Sequence, residues 1–294
     1  MNKNIQNHEK IKPGIPKVSI GLLVYNEAEF IELTIHSLLA MQYANLEIII
    51  SDNGSNDGTT EIINTLIKDD NRVHFHRFKE NQGVYVNFLY VANQASGKYF
   101  MMASGHDLWS SNLITECVNL LESSSDAMIA FATPKTIDSQ GHKVENDSGW
   151  SDTRGLDAVS RFMTVLCGSM NPVLGLIRRE SMPQLDTYYN SVGADLVFLL
   201  ELSLKGNFVH AYRADFYRRQ PRNAETYPQK LNRYKSSDVG MVNSFLSRLF
   251  PLIRLPYEIL KVVFTSRTGL GVKLALFIIL IPTFPVRYLM ARKS

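Results

Sequence analysis

The sequence has few cysteines and little net charge, and each shortage excludes a class of protein. Its two cysteines, Cys117 and Cys167, form no CxxC pair and cannot make a disulfide framework, which fits a reducing compartment and excludes a disulfide-rich secreted scaffold. A formal charge of +3 on 294 residues argues against a dedicated nucleic-acid binder. Apolar residues make up 45% of the chain, so most of it has enough hydrophobic content to fold.

Two phosphate-binding motifs are also missing. The usual dinucleotide site needs GxGxxG after the first strand, but the loop found there, YNEAEF, has no glycine. The Walker lysine pattern is absent as well. A NAD-linked enzyme and a phosphate-cradling NTPase are therefore disfavoured. A nucleotidyltransferase is disfavoured too, because the same loop carries no glycine-rich stretch with Arg or Lys.

The two ends of the sequence differ from its middle. Residues 1–16 are polar and lack the apolar segment of a signal peptide, so we expect a polar tail and a cytoplasmic location. Residues 248–294 contain eight Lys/Arg and one Glu, a net of +7, which leaves −4 on residues 1–247. The uncharged run 274–286 has 13 residues, whereas a membrane span needs about 20.

The pattern of the basic, apolar C-terminal segment predicts two amphipathic helices, near 245–264 and 270–290. Clusters of Lys and Arg attract anionic lipid surfaces. We therefore expect this segment to bring the protein to the cytoplasmic side of a membrane, peripherally or with one inserted segment. Packing on the rest of the chain or on a second copy is the alternative, and a homo-oligomer is left open.

Short apolar strands alternate with helices through the first half of the chain. The pattern predicts strands at 18–24, 46–50, 72–78, 98–102 and 128–133, separated by helices at 28–41, 59–67, 84–95 and 113–121. Such alternation is typical of a mainly parallel α/β sheet with helices on both faces. A polar stretch predicts a long loop at 138–155, and further elements are predicted near 156–166 (helix), 173–177 (apolar), 194–204 (helix) and 207–213 (strand).

Three polar clusters directly follow predicted strands. Tyr25-Asn26-Glu27 follows the first strand, SDNGSNDG (51–58) the second and SGHD (104–107) the fourth. Because ligands bind beyond the carboxyl ends of parallel strands, we expect the three clusters to meet at one edge of the sheet.

The acidic residues of these clusters have structural as well as functional interpretations. Asp57 and Asp107 can each cap a following helix, and Asp195, in GADLVFLLELSLKG, can complement a helix dipole. Alternatively, Asp107 beside an imidazole can hold a hard divalent ion that also touches a diphosphate, and Asp195 can act as a general base. The residues by themselves leave both interpretations open.

Together, residues 17–215 resemble glycosyltransferase family 2, the inverting nucleotide-sugar transferases with the GT-A fold. The resemblance is strongest in VSIGLLVYNEAEFIELTIHSLLAMQYANLEIIISDNGSNDGTTEII, where Tyr-Asn-Glu, Ser-Leu-Leu, Glu-Ile-Ile and Asp-x-x-Ser-x-Asp-x-Thr stand in the family's order and spacing. It continues through Asn81-Gln82-Gly83, Asn87 and Ala95-Ser96-Gly97. It implies a GT-A, Rossmann-like domain that we place at 17–240, with a nucleotide-binding half (17–133) and an acceptor half (134–240). The basic hydrophobic helical segment expected from the composition follows at 241–294.

The resemblance also implies roles for individual residues. Asp195 corresponds to the acidic residue proposed as catalytic base, and Asp107 to the end of an Asp-x-Asp-type motif that binds Mn²⁺ or Mg²⁺. Asp52 corresponds to the carboxylate that hydrogen-bonds the base, usually uracil or another pyrimidine. The other residues expected around the nucleotide-sugar are Tyr25, Asn26, Glu27, Ser55, Asp57, Asn81, Gly83 and Asn87.

The reaction that the resemblance implies is a single displacement from a nucleotide-diphosphate sugar, most often a UDP-sugar, onto a hydroxyl of a glycan or lipid-linked acceptor. Synthesis of bacterial cell-surface polysaccharide is the expected setting. One departure matters: His106 stands where the family commonly has another acidic residue. His106 is then a second candidate metal ligand, and a catalytically impaired binding or scaffold protein is the alternative.

Two further features are each open to a structural and a ligand-binding interpretation. Arg218, Arg219 and Arg222, in YRRQPR, form a solvated basic loop or reach the phosphates, and we favour the loop. Trp109 stacks on a sugar or packs in the core.

Overall fold

A computed structural model describes residues 14–144, 152–183, 193–220 and 254–291 of the protein. The predicted alternation of strands and helices is present. The strands are β1 (Val18–Val24), β2 (Leu46–Asp52), β3 (Val73–Arg77), β4 (Tyr99–Ser104), β5 (Leu108–Trp109), β6 (Ala127–Phe131), β7 (Pro134–Ile137), β8 (Leu176–Arg178), β9 (Asn207–His210) and β10 (Phe216–Arg219). The helices are α1 (Ile31–Leu39), α2 (Thr59–Leu66), α3 (Gly83–Gln94), α4 (Leu113–Ser123), α5 (Ala158–Cys167), α6 (Ala194–Lys205), α7 (Arg254–Thr265) and α8 (Leu270–Ala291).

Seven strands form the main sheet, in the order β3-β2-β1-β4-β8-β6-β9. All are parallel except β8, which runs antiparallel to both of its neighbours. In the ladders of β1, Val24 pairs with Asp52 of β2 and Leu23 pairs with Ser104 of β4. The loops after β1, β2 and β4 therefore begin at the same edge, as the sequence predicted. This edge lies where the chain crosses from one side of β1 to the other, the usual ligand position in such sheets.

The apolar patterns explain why these elements form and how they pack. Every residue of β2 is buried, as expected of a parallel strand covered on both faces. On α1, Ile31, Ile35 and Leu38 recur at helical spacing and are buried in the core on one face of the sheet. A second core, on the other side of β6, contains α5 and α6.

The structure also contains a second, three-stranded sheet that the sequence pattern did not predict. Its order is β5-β10-β7, with β10 antiparallel to β5 and parallel to β7. These strands have only two to four residues and mix buried with exposed positions, so they leave no clear periodic pattern. Part of YRRQPR, predicted as a solvated loop, is thus strand β10.

The two C-terminal helices are present as predicted, while residues 245–253 of the first prediction lie outside the described ranges. One side of this pair, including Ile259, Val263, Leu276 and Leu280, is buried in the same core as α5 and α6. Packing on the rest of the chain therefore occurs on that side. Within the four described ranges, no helix has both the length and the apolar character needed to cross a membrane.

Candidate active site

Side chains of the β2 loop hold the β1 loop in place. The backbone N–H of Asn26 donates to Ser55 Oγ at 2.9 Å, and the N–H of Asn56 donates to Asn26 Oδ1 at 3.0 Å. Asn26 has φ 54°, a left-handed conformation that Asn tolerates better than most residues. Tyr25, just before it, is 42% exposed, so its ring is open to a ligand at this edge.

Asp57 joins the same two loops to the start of α2. Its Oδ2 accepts the N–H of Ala28 at 3.1 Å, and its Oδ1 accepts the N–H and hydroxyl of Thr59 at 3.1 and 2.5 Å. Thr59 Oγ1 in turn accepts the N–H of Glu27 at 2.9 Å. Although burial opposes ionisation, these hydrogen bonds lower the pKa of Asp57. The structure therefore supports the expected interaction of Asp57 with a helix start and adds a second contact, to the β1 loop.

Asp52 is fully buried, and both of its carboxylate oxygens have donors. Oδ1 accepts the N–H of Ser55 at 2.9 Å and its hydroxyl at 2.6 Å. Oδ2 accepts the Thr60 hydroxyl at 2.5 Å and lies 3.5 Å from Nε of Arg77. With no exposed surface, Asp52 serves here as the internal acceptor that fixes the shape of the loop.

Asn53 connects this loop to the segment before α3. Its Nδ2 donates to Asn81 Oδ1 at 2.8 Å, and its Oδ1 accepts the N–H of Gln82 at 2.9 Å. Asn81 Oδ1 also accepts the N–H of Gly83 at 2.8 Å. Gly54 permits this approach, because a Cβ there would lie 2.7 Å from the carbonyl carbon of Glu80. Two of the predicted residues, Asn81 and Gly83, are therefore tied to the β2 loop.

Asn87, also predicted, lies on α3 and is 3% exposed. Its Nδ2 donates to the carbonyl of Ser51 at 3.2 Å, whereas its buried Oδ1 has no hydrogen-bond partner. Asn87 therefore packs directly beneath the start of the β2 loop.

The β4 loop brings His106 against the β1 loop. Nδ1 of His106 lies 2.9 Å from Oε1 of Glu27, and both side chains are largely buried. Burial favours the neutral ring, but the Glu27 hydrogen bond and the charges of Asp107 and Glu27 raise the pKa of His106 overall. The sequence predicted both residues at this edge but not their direct contact.

Asp107 is 1% exposed and faces strand β10. Its Oδ1 accepts the backbone N–H of Arg219 at 2.9 Å, so its partner is a strand rather than the helix start near Ser111. Burial raises the pKa of Asp107, although His106, the Arg219 N–H and the charge of Arg218 act in the opposite direction.

Arg219 is a structural residue, which corrects the prediction of a solvated basic loop. It is 4% exposed, and its guanidinium donates to the carbonyls of His106, Asp138 and Ser139 while lying 4.9 Å from the ring centroid of Phe30. Its neighbour Arg218 is exposed, and Arg222 lies outside the described residues. Trp109 is 4% exposed and stacks on Phe216, so it packs in the core.

Asp195 lies in the first turn of α6 and is exposed to solvent. Desolvation by the protein atoms packed around it raises the pKa of Asp195, and the positive charge of Arg218 lowers it in part. Arg218 also acts electrostatically on His106 and Asp107. The charge of Arg218, whose guanidinium donates a 2.6 Å hydrogen bond to Asn171 Oδ1, thus acts on both the predicted base and the predicted metal motif.

The donor atoms fit a cation that is shared with a substrate better than a metal centre built by the protein. No group of three or more His, Cys, Asp or Glu side chains able to hold a metal occurs among the residues described. Asp107 and His106 are two adjacent donors, and each already has one protein partner. Magnesium-like ions often use one or two carboxylates plus substrate phosphate oxygens, and a two-donor site suits that arrangement.

Several residues of this site were not predicted, namely Asn53, Thr59, Thr60, Arg77 and Asn171. The first lies inside SDNGS, so its position in the motif was a usable signal. The others are ordinary polar residues whose role depends on contacts between distant segments.

Comparison with known proteins adds a family match. The protein-family sequence profile described as Glycosyl transferase family 2 matches residues 19–182, more than half of the chain. A putative teichuronic acid biosynthesis glycosyltransferase, TuaG of Bacillus subtilis, is 35% identical over 94 residues, covering 32% of this chain and 37% of that relative. The chain likewise spans well under half the length of two similar uncharacterised glycosyltransferases, from Rickettsia bellii and Rickettsia typhi.

Solved structures show the same fold at low identity. S. aureus TarS 1–349 in complex with UDP-GlcNAc has a TM-score of 0.61 and 13% identity, covering 87% of this chain and 69% of that one. The mannosyltransferase PcManGT from Pyrobaculum calidifontis, in complex with GDP-Man and Mn²⁺, has a TM-score of 0.52 and 12% identity, covering 94% and 84%. The chain therefore has the GT-A fold of these enzymes.

Proposed function

Because this chain belongs to glycosyltransferase family 2, we propose that it transfers a sugar from a nucleotide-diphosphate sugar to a hydroxyl acceptor with inversion at the anomeric carbon. That it is a glycosyltransferase follows from the family. Its relation to TuaG, named for teichuronic acid biosynthesis, points to the synthesis of cell-surface polysaccharide. The complexes of TarS with UDP-GlcNAc and of PcManGT with GDP-Man support a nucleotide sugar as donor, and we propose a UDP-sugar.

The base is Asp195, and the observation that carries the proposal is its placement. It is an exposed carboxylate in the first turn of α6, and the charge of Arg218 acts on it as well as on the SGHD loop. The acceptor hydroxyl loses its proton to Asp195, its oxygen bonds to the anomeric carbon, and the bond from that carbon to the diphosphate oxygen breaks. One displacement of this kind inverts the configuration. Arg218 is the exposed cation able to bind the diphosphate that leaves.

The nucleotide lies against the loops after β1 and β2. Tyr25 offers an exposed ring, and Asn81 and Gly83 border the same loops through Asn53. Asp107, with His106 beside it, would hold a divalent cation together with the diphosphate. Such an ion, Mn²⁺ or Mg²⁺, stabilises the negative charge that develops on the leaving group.

The test begins with a panel of nucleotide sugars and acceptors, with and without Mn²⁺, and with NMR of the product to establish its anomeric configuration. In Asp195→Asn, kcat should fall by about 10²–10⁴, the usual contribution of a general base, while the donor KM stays the same. Glu201→Gln, a carboxylate removed from the same helix where it pairs with Lys205, is the matched control and should keep its kcat.

Three outcomes would contradict parts of this proposal. Product with retained configuration would exclude single displacement. An Asp195→Asn variant as active as Glu201→Gln would exclude Asp195 as the base. Nucleotide-sugar binding without turnover across the panel would favour the binding or scaffold protein instead.

A further inference from the structure

One face of α8 carries large apolar side chains that nothing in the described structure covers. Leu270, Leu274, Phe277, Ile278 and Ile281 are between 38% and 71% exposed. We refer to these five residues as the apolar stripe. Their spacing of four, three, one and three residues places them within about a third of the helix circumference. Ordinary proteins expose single apolar residues, whereas a contiguous group marks an interaction surface.

The helix that carries the apolar stripe is firmly attached on its other side. Leu276 and Leu280 are fully buried in the core formed with α5 and α6. Phe277 also contacts Phe264 of α7, with ring centroids 5.8 Å apart, and Phe264 is itself 48% exposed. The exposed face is therefore a fixed feature of a packed hairpin.

From residue 259 onward, the charged residues of the chain that carries the apolar stripe have one sign. The sequence contains no Asp or Glu from residue 259 to its last residue, whereas six Lys or Arg residues occur there. Arg267 is exposed in the connection between α7 and α8. Lys273, on α8, donates to the carbonyl of Phe264 at 2.9 Å, which keeps its charge beside the hairpin. An apolar face bordered by positive charge complements an anionic lipid surface.

We propose that the apolar stripe docks the protein onto an anionic phospholipid bilayer, with α8 lying in the interface and its five side chains among the upper acyl chains. Interfacial helices of this type insert their apolar face about 5–10 Å into the bilayer. A protein partner would be expected to match a basic rim with acidic side chains and a shaped apolar surface, whereas a bilayer needs only the two properties that this face has.

Docking also sets where the proposed reaction occurs, an extension that rests on the proposed function. Leu255, near the start of α7, lies against Gly193, where an added Cβ would be 3.0 Å from its Cδ1. Gly193 directly precedes α6, two residues before Asp195. The docked hairpin therefore abuts the segment that leads into the predicted base, and a lipid-linked acceptor held in the same bilayer would need to extend little to reach it.

The experiment measures binding of the full-length protein to vesicles by sedimentation, with no reaction involved. Vesicles of phosphatidylcholine alone are compared with vesicles containing 30% phosphatidylglycerol, a composition chosen at roughly the anionic content that attracts basic segments. The variant is Ile278→Glu with Ile281→Glu, two exposed positions. The matched control is Leu33→Glu with Leu156→Glu, which adds the same two negative charges at exposed leucines (54% and 37% exposed) outside the apolar stripe.

The wild type and the Leu33→Glu, Leu156→Glu control should bind the anionic vesicles at least about tenfold more strongly than the variant changed at Ile278 and Ile281, here called the double variant. High salt should weaken binding. Melting curves and turnover of a soluble acceptor without vesicles should match between variants, so a failure of docking stays separate from a failure of catalysis. Equal binding by the double variant and the wild type would overturn the proposal. So would a wild-type dimer that ignores vesicles and becomes monomeric in the double variant, because the apolar stripe would then join two copies.

Discussion

Replacing Asp52 by Asn tests whether this carboxylate shapes the β2 loop or contacts the nucleotide base. The change keeps the size of the side chain but turns Oδ2 into an amide donor. Thr60, whose hydroxyl donates to Oδ2 at 2.5 Å, then loses its acceptor, and Arg77, 3.5 Å away, faces another donor. The two bonds from Ser55 to Oδ1 remain but lose the assistance of the negative charge.

The size of the effect follows from these contacts. Loss of a hydrogen bond to a charged group costs about 1.5–3 kcal/mol. Weakening of the two Ser55 bonds adds about 1 kcal/mol. Loss of the pair with Arg77, whose side chain is 42% exposed, adds less than about 1 kcal/mol. We expect the free energy of unfolding to fall by about 3 kcal/mol, a drop in Tm of roughly 6–12 °C for a domain of this size.

The assay is thermal melting combined with donor KM at a temperature where the variant is folded. Asp57→Asn is the control, because Asp57 lies in the same loop with an exposed side chain and should lose only about 1 kcal/mol. A Tm within about 2 °C of the wild type, together with a donor KM raised tenfold or more, would refute the reasoning. It would show that the main task of Asp52 is to contact the base.

Three other substitutions have defined outcomes. Arg218→Gln removes the charge that lowers the pKa of Asp195, so the acidic limb of the pH–kcat profile should move to higher pH. An unmoved limb would show that the charge of Arg218 does not act on the base. Glu27→Gln removes a cause of the raised pKa of His106, so NMR titration of that imidazole should move to lower pH, and an unchanged titration would contradict the contact. Although burial opposes ionisation, hydrogen bonds from Lys17, Ser19 and Ser96 hold the pKa of Glu47 at about 2. The ionised carboxylate therefore stabilises the fold above about pH 4.3, and this stabilisation is lost as the pH falls toward 2. In urea unfolding, Glu47→Gln should be less stable than the wild type at pH 7 and by a smaller margin in acid; a stability difference that does not change with pH would show that the Glu47 charge is not its cause.

The sequence was informative where one segment determines its own structure. The apolar runs of β1, β2 and β4 predicted buried parallel strands, and the loops after them predicted the edge where Glu27, Asp52 and Asp107 lie. Contacts between distant segments could not be predicted. The bond from Arg219 to Asp107 joins residues 112 positions apart, and the pairing of His106 with Glu27 spans 79. Such pairs depend on how elements pack, which hydrophobic periodicity does not specify.

The short interior strand β8 has a consequence for how the molecule unfolds. Among the described strands, it alone joins the block β3-β2-β1-β4 to β6 and β9 within the main sheet, and it pairs three residues with β4 and two with β6. By contrast, β1 pairs seven residues with β2 and six with β4. Cooperativity is weakest where few contacts cross. Within the main sheet the backbone ladder is therefore shortest at β8, and we expect local opening to begin there rather than at β1, which hydrogen exchange of the two strands' amides would show.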